Sequence, residues 1–190
     1  MDRENYESMA LLEHNHWWFV SRRKIIKKIL DKYVTKNTKK NILEIGCGSG
    51  GNLKLLSNYG KIFAMEIDEY ARKQANTKNI CLVEYGKLPN NFPFKNSFDT
   101  ICLFDVLEHI EPVFLDAVLK EMNQYFTKNA FLIIATSPAK KFLPDGRNAH
   151  LIVETPGWWK HKLETLMPDC IIHWHEFVEK TRTDKKGNVK

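Results

Sequence analysis

Residues 44–51, Glu44-Ile45-Gly46-Cys47-Gly48-Ser49-Gly50-Gly51, decide the fold class of this chain. A short apolar run at residues 41–45 leads into these glycines, and a helix-like segment at residues 51–58 follows them. Glycines between a strand and a helix permit a tight turn and let a ligand approach the backbone closely. The sequence therefore predicts a loop that binds an adenosine-like ligand.

Strand-like and helix-like segments alternate on both sides of this loop. Further strand-like runs lie at residues 62–66, 80–84, 98–104 and 130–135, and helical patterns lie at residues 21–34, 69–76 and 113–126. Buried, nearly continuous apolar strands separated by helices indicate a parallel sheet that is covered on both faces. We predict an α/β fold, Rossmann-like and doubly wound, with a mostly parallel sheet.

The pattern changes after residue 136. A polar loop at residues 137–150 precedes a predicted helix at 156–166, an alternating stretch at 171–178 and a turn at 184–188 that is typical of an antiparallel hairpin. A chain of 190 residues can bury one sizeable core. We predict a single domain over residues 1–190, comprising an N-terminal helical cap (1–38), a ligand-binding core (41–135) and a third part (136–190) that carries the polar loop and the C-terminal hairpin.

Charge and composition narrow the class of partner. The formal net charge is +6, and residues 21–40 hold nine basic residues against Asp31 alone. Because this cluster lacks interleaved aromatic residues for base stacking, it is typical of a solvated helix face, and a small anion is favoured over nucleic acid. No apolar run approaches the roughly 18 residues of a membrane span, and the start of the chain does not resemble a signal peptide. We expect a cytoplasmic protein without a membrane span.

Two acids flank the glycine loop. Glu66 follows Gly46 by 20 positions, at the end of the predicted second strand, where a carboxylate can accept hydrogen bonds from both ribose hydroxyls. Glu44 suits the positively charged end of S-adenosylmethionine (SAM) and would repel a pyrophosphate. The glycine spacing alone also fits a nicotinamide dinucleotide, but few residues remain for the separate substrate domain of many dehydrogenases. A NAD-dependent enzyme is therefore the least favoured alternative.

Over about residues 41–135 the chain resembles the class I SAM-dependent methyltransferases. The resemblance rests on Glu-x-Gly-x-Gly-x-Gly at residues 44–50, the acid Glu66, and Asp105-Val106-Leu107-Glu108-His109 after the fourth predicted strand. It implies SAM as cofactor and S-adenosylhomocysteine as product, with glycines packed on SAM and Glu66 on its ribose. The residues expected to bind the cofactor are Trp18, Arg22, Glu44, Gly46, Cys47, Gly48, Gly50, Asn52, Glu66, Ile67, Lys87, Leu88, Asp105 and Glu108. Where the family usually has an acid near the adenine, this chain has Gly86 and Lys87.

The opening segment carries a narrower resemblance. His16-Trp17-Trp18-Phe19, with Glu13 before it and Arg22 after it, is similar to the start of a bacterial methyltransferase subgroup associated with small-molecule and surface-glycan methylation. The resemblance implies that this segment covers the SAM pocket. The aromatic residues can equally fasten a helix to the core, and one segment can do both.

Two histidines are the candidate catalytic residues. His109 follows the fourth strand, and His150 ends the polar loop; a neutral imidazole at either position can serve as a general base toward a hydroxyl. For Glu108 and His109 the alternative is a structural role, in which they cap and orient a helix beside SAM. We expect Lys140, Arg147, Asn148 and His150 to bind an anionic acceptor, with Arg147 gripping it through two parallel hydrogen bonds. A surface turn at Asp145-Gly146 is the alternative for this loop.

These residues predict a SAM-dependent methyltransferase that acts on a small polar, anionic acceptor, with O-methylation of a sugar, phosphate or surface-polysaccharide precursor favoured. Methyl transfer is an in-line displacement that requires no metal, and we predict no metal ligands. The four cysteines show no metal-ligand spacing, and we expect them to be reduced. A nucleic-acid methyltransferase and a non-catalytic SAM-binding regulator remain as alternatives. The sequence does not determine the oligomeric state.

Overall fold

The computed structural model describes residues 12–13 and 15–177. Helix α1 spans Trp17–Tyr33. His16 is its N-cap residue, and His16 Nδ1 accepts a hydrogen bond from the backbone N–H of Trp18 at 3.3 Å. Ile26 and Leu30, four positions apart on one face, are fully buried. Helix α1 therefore packs on the core through its apolar stripe.

Strands and helices alternate in the order that the sequence predicts. After α1 come β1 (Asn41–Ile45), α2 (Leu53–Leu56), β2 (Lys61–Glu66), α3 (Glu69–Thr77), β3 (Val83–Tyr85), β4 (Phe98–Phe104), the 3₁₀ turns Leu107–His109 and Pro112–Phe114, α4 (Leu115–Met122), β5 (Phe126–Ile133) and α5 (Pro156–Leu166). Asp68 caps α3 by accepting a hydrogen bond from the backbone N–H of Ala71. The predicted Rossmann-like α/β fold is confirmed.

The five strands form one parallel sheet in the order β3-β2-β1-β4-β5. Strand β1 lies at the centre, and the chain order reverses between β1 and β4, which makes the boundary between these strands the topological switch point. Glu44 in β1 lies opposite Ala64 in β2 and Cys102 in β4. In open α/β sheets, ligands bind at the carboxyl ends of the strands at such a switch point.

Successive side chains of strand β1 belong alternately to two hydrophobic cores. Leu43 and Ile45 of β1 belong to the core that also contains Trp159 and Leu163 of α5. Ile42 belongs to the core on the opposite face, which includes buried residues of α1. The alternation follows from the period of two along a strand, and it explains why these strands read as continuous apolar runs.

Several predicted boundaries are wrong. The third strand begins at Val83 rather than residue 80, because Asn79 adopts a positive φ of 53° and the side-chain amide of Asn76 in α3 pairs with the backbone of Val83. The fifth strand spans Phe126–Ile133 rather than 130–135. The helix predicted at 51–58 is only the single turn α2. The helix predicted at 113–126 begins with a 3₁₀ turn at Pro112.

The C-terminal hairpin stays a prediction. Residues 171–177 carry no strand in the structure, and the predicted turn at residues 184–188 lies outside the described residues. All four cysteines are free thiols, as expected. Within the described part of the chain, no helix has the length and apolar character that a membrane crossing requires.

Candidate functional site

The glycine loop lies at the carboxyl end of β1. The backbone N–H groups of Gly46 and Cys47 donate to the carbonyl of Met65 at 2.9 and 3.3 Å, which fixes the loop to β2. A Cβ on Gly46 would lie 2.7 Å from Cγ2 of Val106, so a side chain there would clash. Gly48 has φ +54°, and a Cβ added there would meet no described atom within 4 Å. The loop therefore leaves open space beside Gly48, where a ligand can approach the backbone.

Glu66 closes one side of that space. Its side chain is buried, and its two carboxylate oxygens accept hydrogen bonds from the backbone N–H of Gly48 at 2.8 Å and of Asp68 at 2.9 Å. Burial raises the pKa of this carboxyl group above its ordinary value. Each carboxylate oxygen still has a lone pair for a further donor, which fits the predicted role of binding ribose hydroxyls.

Glu44 lies on the other side of the loop, and one of its oxygens lacks a donor. The residue is 1% exposed; Oε1 accepts a hydrogen bond from Asn52 Nδ2 at 3.1 Å, and Oε2 has no hydrogen-bond partner among the described residues. Burial raises the pKa of Glu44 to about 8. A buried oxygen without a donor is costly, and a cationic amino group would satisfy it. The residues present thus fit SAM, with Asn52 orienting Glu44.

The N-terminal segment contacts the same loop. The buried carboxylate of Glu13 accepts a hydrogen bond from Ser49 Oγ at 2.9 Å and forms an ion pair with Lys78, directly after α3. A Cβ on Gly51 would lie 2.8 Å from Glu13 Oε2. The sequence pattern includes Glu13 without predicting this contact, because residues 36 positions apart give no local signal.

Trp18 and Arg22 of α1 extend this segment toward β4. The Arg22 guanidinium lies 4.9 Å from the centre of the Trp18 ring and forms an ion pair with Asp105. Asp105 follows β4 with a positive φ of 54°, and its N–H donates to the carbonyl of Ile133 in β5 at 2.9 Å. Non-glycine residues in this conformation are strained and cluster at binding sites, which agrees with the predicted place of Asp105.

Glu108, His109 and His150 form a compact cluster beyond Asp105. Glu108 is fully buried; Oε1 accepts a hydrogen bond from the N–H of Ala135 at 3.0 Å, and no described residue donates to Oε2. Burial raises the pKa of Glu108 to about 8 and lowers that of His109. The rings of the two histidines meet edge to face with their centres 5.0 Å apart. The structure thus brings together the two candidate catalytic residues.

The predicted acceptor loop holds its polar side chains differently from the expectation. Arg147 is already paired, with both oxygens of Glu111 at 2.8 and 2.9 Å and with Asp145 at 2.8 Å. The Asn148 amide is also occupied, since it pairs with both backbone groups of Ala139 and accepts from the N–H of His150. Asn148 therefore fastens the loop, and its contact with the acceptor stays a prediction. Lys140 is exposed.

The remaining predicted cofactor residues divide between the site and the core. Ile67, directly after Glu66, is 50% exposed and offers an apolar surface beside that carboxylate. Leu88 instead has its side chain buried in the core, and the backbone of Lys87 pairs with Asn91. Cys47 is buried with its thiol near the carbonyl of Gly48, and Gly50, with φ +83°, packs on Ala75. Leu88 and Gly50 are thus packed against other residues, and their contact with the cofactor stays a prediction.

Comparisons with known proteins show what this chain is similar to. A family model described as a methyltransferase domain matches residues 14–175. The solved structure "DhpI-SAH complex structure" is 14% identical with a TM-score of 0.64, and the match covers 86% of this chain and 84% of that one. The "DhpI-SAM-HEP complex" is 13% identical with a TM-score of 0.64 and 86% coverage of both chains.

A TehB-like SAM-dependent methyltransferase from Corynebacterium glutamicum is 13% identical with a TM-score of 0.59, over 86% of this chain and 79% of that one. At these identities the structural likenesses establish the fold. No protein of curated function matches the sequence significantly.

Proposed function

The chain belongs to the methyltransferase-domain family, and on this premise we propose that it transfers a methyl group from SAM to an oxygen of a small polar, anionic acceptor. The observation that carries the cofactor assignment is Glu44 Oε2, which no described residue satisfies, beside a glycine loop that leaves open space at Gly48. When bound, SAM supplies a methyl group that is bonded to a sulfonium sulfur. A lone pair of the acceptor can attack the methyl carbon in line with the C–S bond, and the sulfur leaves.

Three parts of the chain would hold SAM. Glu44 would pair with the cationic methionine end, Glu66 with the ribose, and the exposed side chain of Ile67 would pack beside the adenosine. The N-terminal segment, fastened to the glycine loop by Glu13, would cover the pocket through Trp18, as its resemblance to the surface-glycan subgroup implies.

The acceptor would lie between SAM and the cluster of Glu108, His109 and His150, since this cluster follows β4 and meets the end of β5. A hydroxyl that attacks the methyl carbon must lose its proton, and a neutral imidazole can accept it. The burial that lowers the pKa of His109 keeps that ring unprotonated near neutral pH. The net charge of +6 and the exposed Lys140 favour an anion.

Calorimetric titration with SAM, S-adenosylhomocysteine and NAD tests the cofactor. We expect the first two to bind and NAD not to bind. Glu66→Ala should weaken SAM binding at least about 100-fold, because two charge-assisted hydrogen bonds of roughly 1.5–3 kcal/mol each are lost. Glu69→Ala, which removes an exposed acid three residues away, is the matched control. Unchanged affinity in Glu66→Ala would remove the ribose assignment.

Transfer is tested by incubating the protein and SAM with sugar phosphates, related anions and short RNA, and measuring S-adenosylhomocysteine. Acceptor-dependent product with the anions supports the proposal. Product with RNA alone, abolished at high salt, would favour the nucleic-acid alternative. SAM binding without product from any acceptor class would favour the regulator.

A further inference from the structure

We propose that Glu108, His109 and His150 form a binding site for a divalent transition-metal ion of the zinc type. Each residue offers one ligand atom, and these atoms lie within 4.8 Å of one another. Ligand atoms around a tetrahedral zinc ion are about 3.4 Å apart, given bond lengths of about 2.1 Å, so shifts of about 1 Å would bring all three atoms onto one ion.

The hydrogen bonds of the two histidines indicate which nitrogen atom of each ring can bind a metal ion. The Nδ1 atoms of His109 and His150 lie 2.7 Å from the carbonyl oxygen of Ala149 and 2.6 Å from that of Ser137, respectively. Because a carbonyl oxygen only accepts, each Nδ1 carries the proton, and each Nε2 presents a lone pair. Histidine ligands of metal ions usually donate their other N–H to a carbonyl or carboxylate, which fixes the ring in this way.

Glu108 supplies an independent observation. Its side chain is fully buried, and Oε1 is held by the N–H of Ala135. The carboxylate of Glu108 lies in the same cluster as the two imidazoles, and the described residues provide no donor to its Oε2. A cation would satisfy this oxygen, and the nearby acid Asp105 is already paired with Arg22.

The ligand set indicates the class of metal. Two imidazole nitrogens and one carboxylate oxygen suit Zn²⁺ and related first-row ions, whereas Mg²⁺ and Ca²⁺ prefer oxygen ligands alone. Three protein ligands leave a coordination position open for an exogenous oxygen. The sequence gives no local signal of this ligand set, since His150 lies about 40 residues beyond the Glu108-His109 pair.

The role of such an ion rests on the proposed function, while the binding site itself does not. An acceptor hydroxyl on the open position would lose its proton to water more readily, because a divalent ion lowers the pKa of an oxygen bound to it. The oxygen lone pair then forms the C–O bond as the C–S bond breaks, and S-adenosylhomocysteine and one proton are released. With a metal bound, the histidines serve as ligands, and the proton does not pass through them.

Metal binding is tested on the full chain after removal of bound ions with a chelator. Calorimetry with ZnCl₂ should show one site, and Co²⁺ should give visible absorption bands of a low-symmetry site, whereas MgCl₂ should give no comparable binding. His150→Ala should lower Zn²⁺ affinity at least about 100-fold, and Glu108→Gln should do the same. His173→Ala is the matched control, because this exposed histidine stacks on Tyr33 and has His175 nearby.

Circular dichroism and thermal unfolding report whether each variant is folded. Equal Zn²⁺ affinity in wild type and a folded His150→Ala variant would overturn the proposal, as would loss of binding in His173→Ala, which would identify surface histidines as the site. Absence of Zn²⁺ binding with normal SAM binding would also overturn it while leaving the methyltransferase assignment intact. Zn²⁺ binding without any SAM binding would instead contradict the proposed function and leave the metal site standing.

Discussion

Replacing Glu44 by glutamine should make the free protein more stable and the SAM complex weaker. Glu44 is buried in β1, its Oε1 accepts from Asn52, and its Oε2 is without a donor from the described residues. Glutamine keeps the size of the side chain and the oxygen that Asn52 contacts, and it carries no charge. The Glu44→Gln variant therefore tests whether the charge of Glu44 binds the ligand and also destabilises the fold.

The magnitude follows from the pKa of Glu44, which burial raises from 4.5 to about 8. The folded protein holds a proton that the unfolded chain releases, so stability is full below pH 4.5 and falls as the pH rises toward 8. At about 1.4 kcal/mol per unit, the loss at pH 7 is about 3 kcal/mol. Glu44→Gln removes this titration, and its Tm at pH 7 should exceed that of wild type by about 6–12 °C.

Thermal unfolding of wild type and variant between pH 4 and 8.5 measures this difference. The two proteins should have similar Tm values at pH 4 and should diverge as the pH rises. Glu154→Gln, which replaces an exposed acid, is the control and should leave the curve unchanged. A Tm difference that is constant with pH, or a variant less stable than wild type at pH 7, would refute the reasoning.

The same variant should bind SAM about 10- to 100-fold more weakly, because a hydrogen bond to a charged group contributes roughly 1.5–3 kcal/mol. Wild-type Glu44 must also ionise to pair with a cationic amino group. SAM binding at pH 7 should therefore release close to one proton in wild type and fewer in Glu44→Gln, as calorimetry in buffers of different ionisation enthalpy would measure.

Two further predictions concern the loops. Gly48→Ala should lower the stability by only about 1 kcal/mol, because φ is +54° and no described atom obstructs the new methyl group. The same change should weaken SAM binding at least about tenfold in a titration. Unchanged affinity would mean that no ligand approaches Gly48. Arg147→Ala should spare SAM affinity and reduce turnover of an anionic acceptor, measured as kcat/KM, whereas equal turnover would show that the Glu111 and Asp145 pairs hold Arg147 for the fold alone.

The sequence is sufficient for the fold and for the placement of Glu44 and Glu66 beside the glycine loop, because both depend on short-range pattern; that these residues bind SAM stays a prediction. Apolar runs separated by helical segments predict a parallel sheet, and Glu44 and Glu66 are placed by their position relative to the glycines.

The acceptor end cannot be predicted in the same way, because its contacts join residues far apart in the chain. The sequence assigns Arg147 to an anion, and it gives no sign that Glu111, 36 positions earlier, pairs with its guanidinium in the absence of a ligand. It predicts that Leu88 binds the cofactor, and it gives no sign that the apolar side chain of Leu88 is buried in the core. The polar character of residues 137–150 is visible in the sequence, while the partners of these residues depend on tertiary packing.

Two carboxyl oxygens without a donor among the described residues connect these two ends of the site. Glu44 lies in β1, and Glu108 follows β4; each has an Oε2 atom without a donor. These are the two neighbouring strands between which the chain order reverses. Burial raises the pKa of each group to about 8, so ionisation at either position destabilises the free protein, and a bound cation can offset this. A cationic methionine end at Glu44 and a metal ion at Glu108 would each do so. Ligands at the two positions should therefore raise the Tm independently, and the increases should add unless the two sites are coupled.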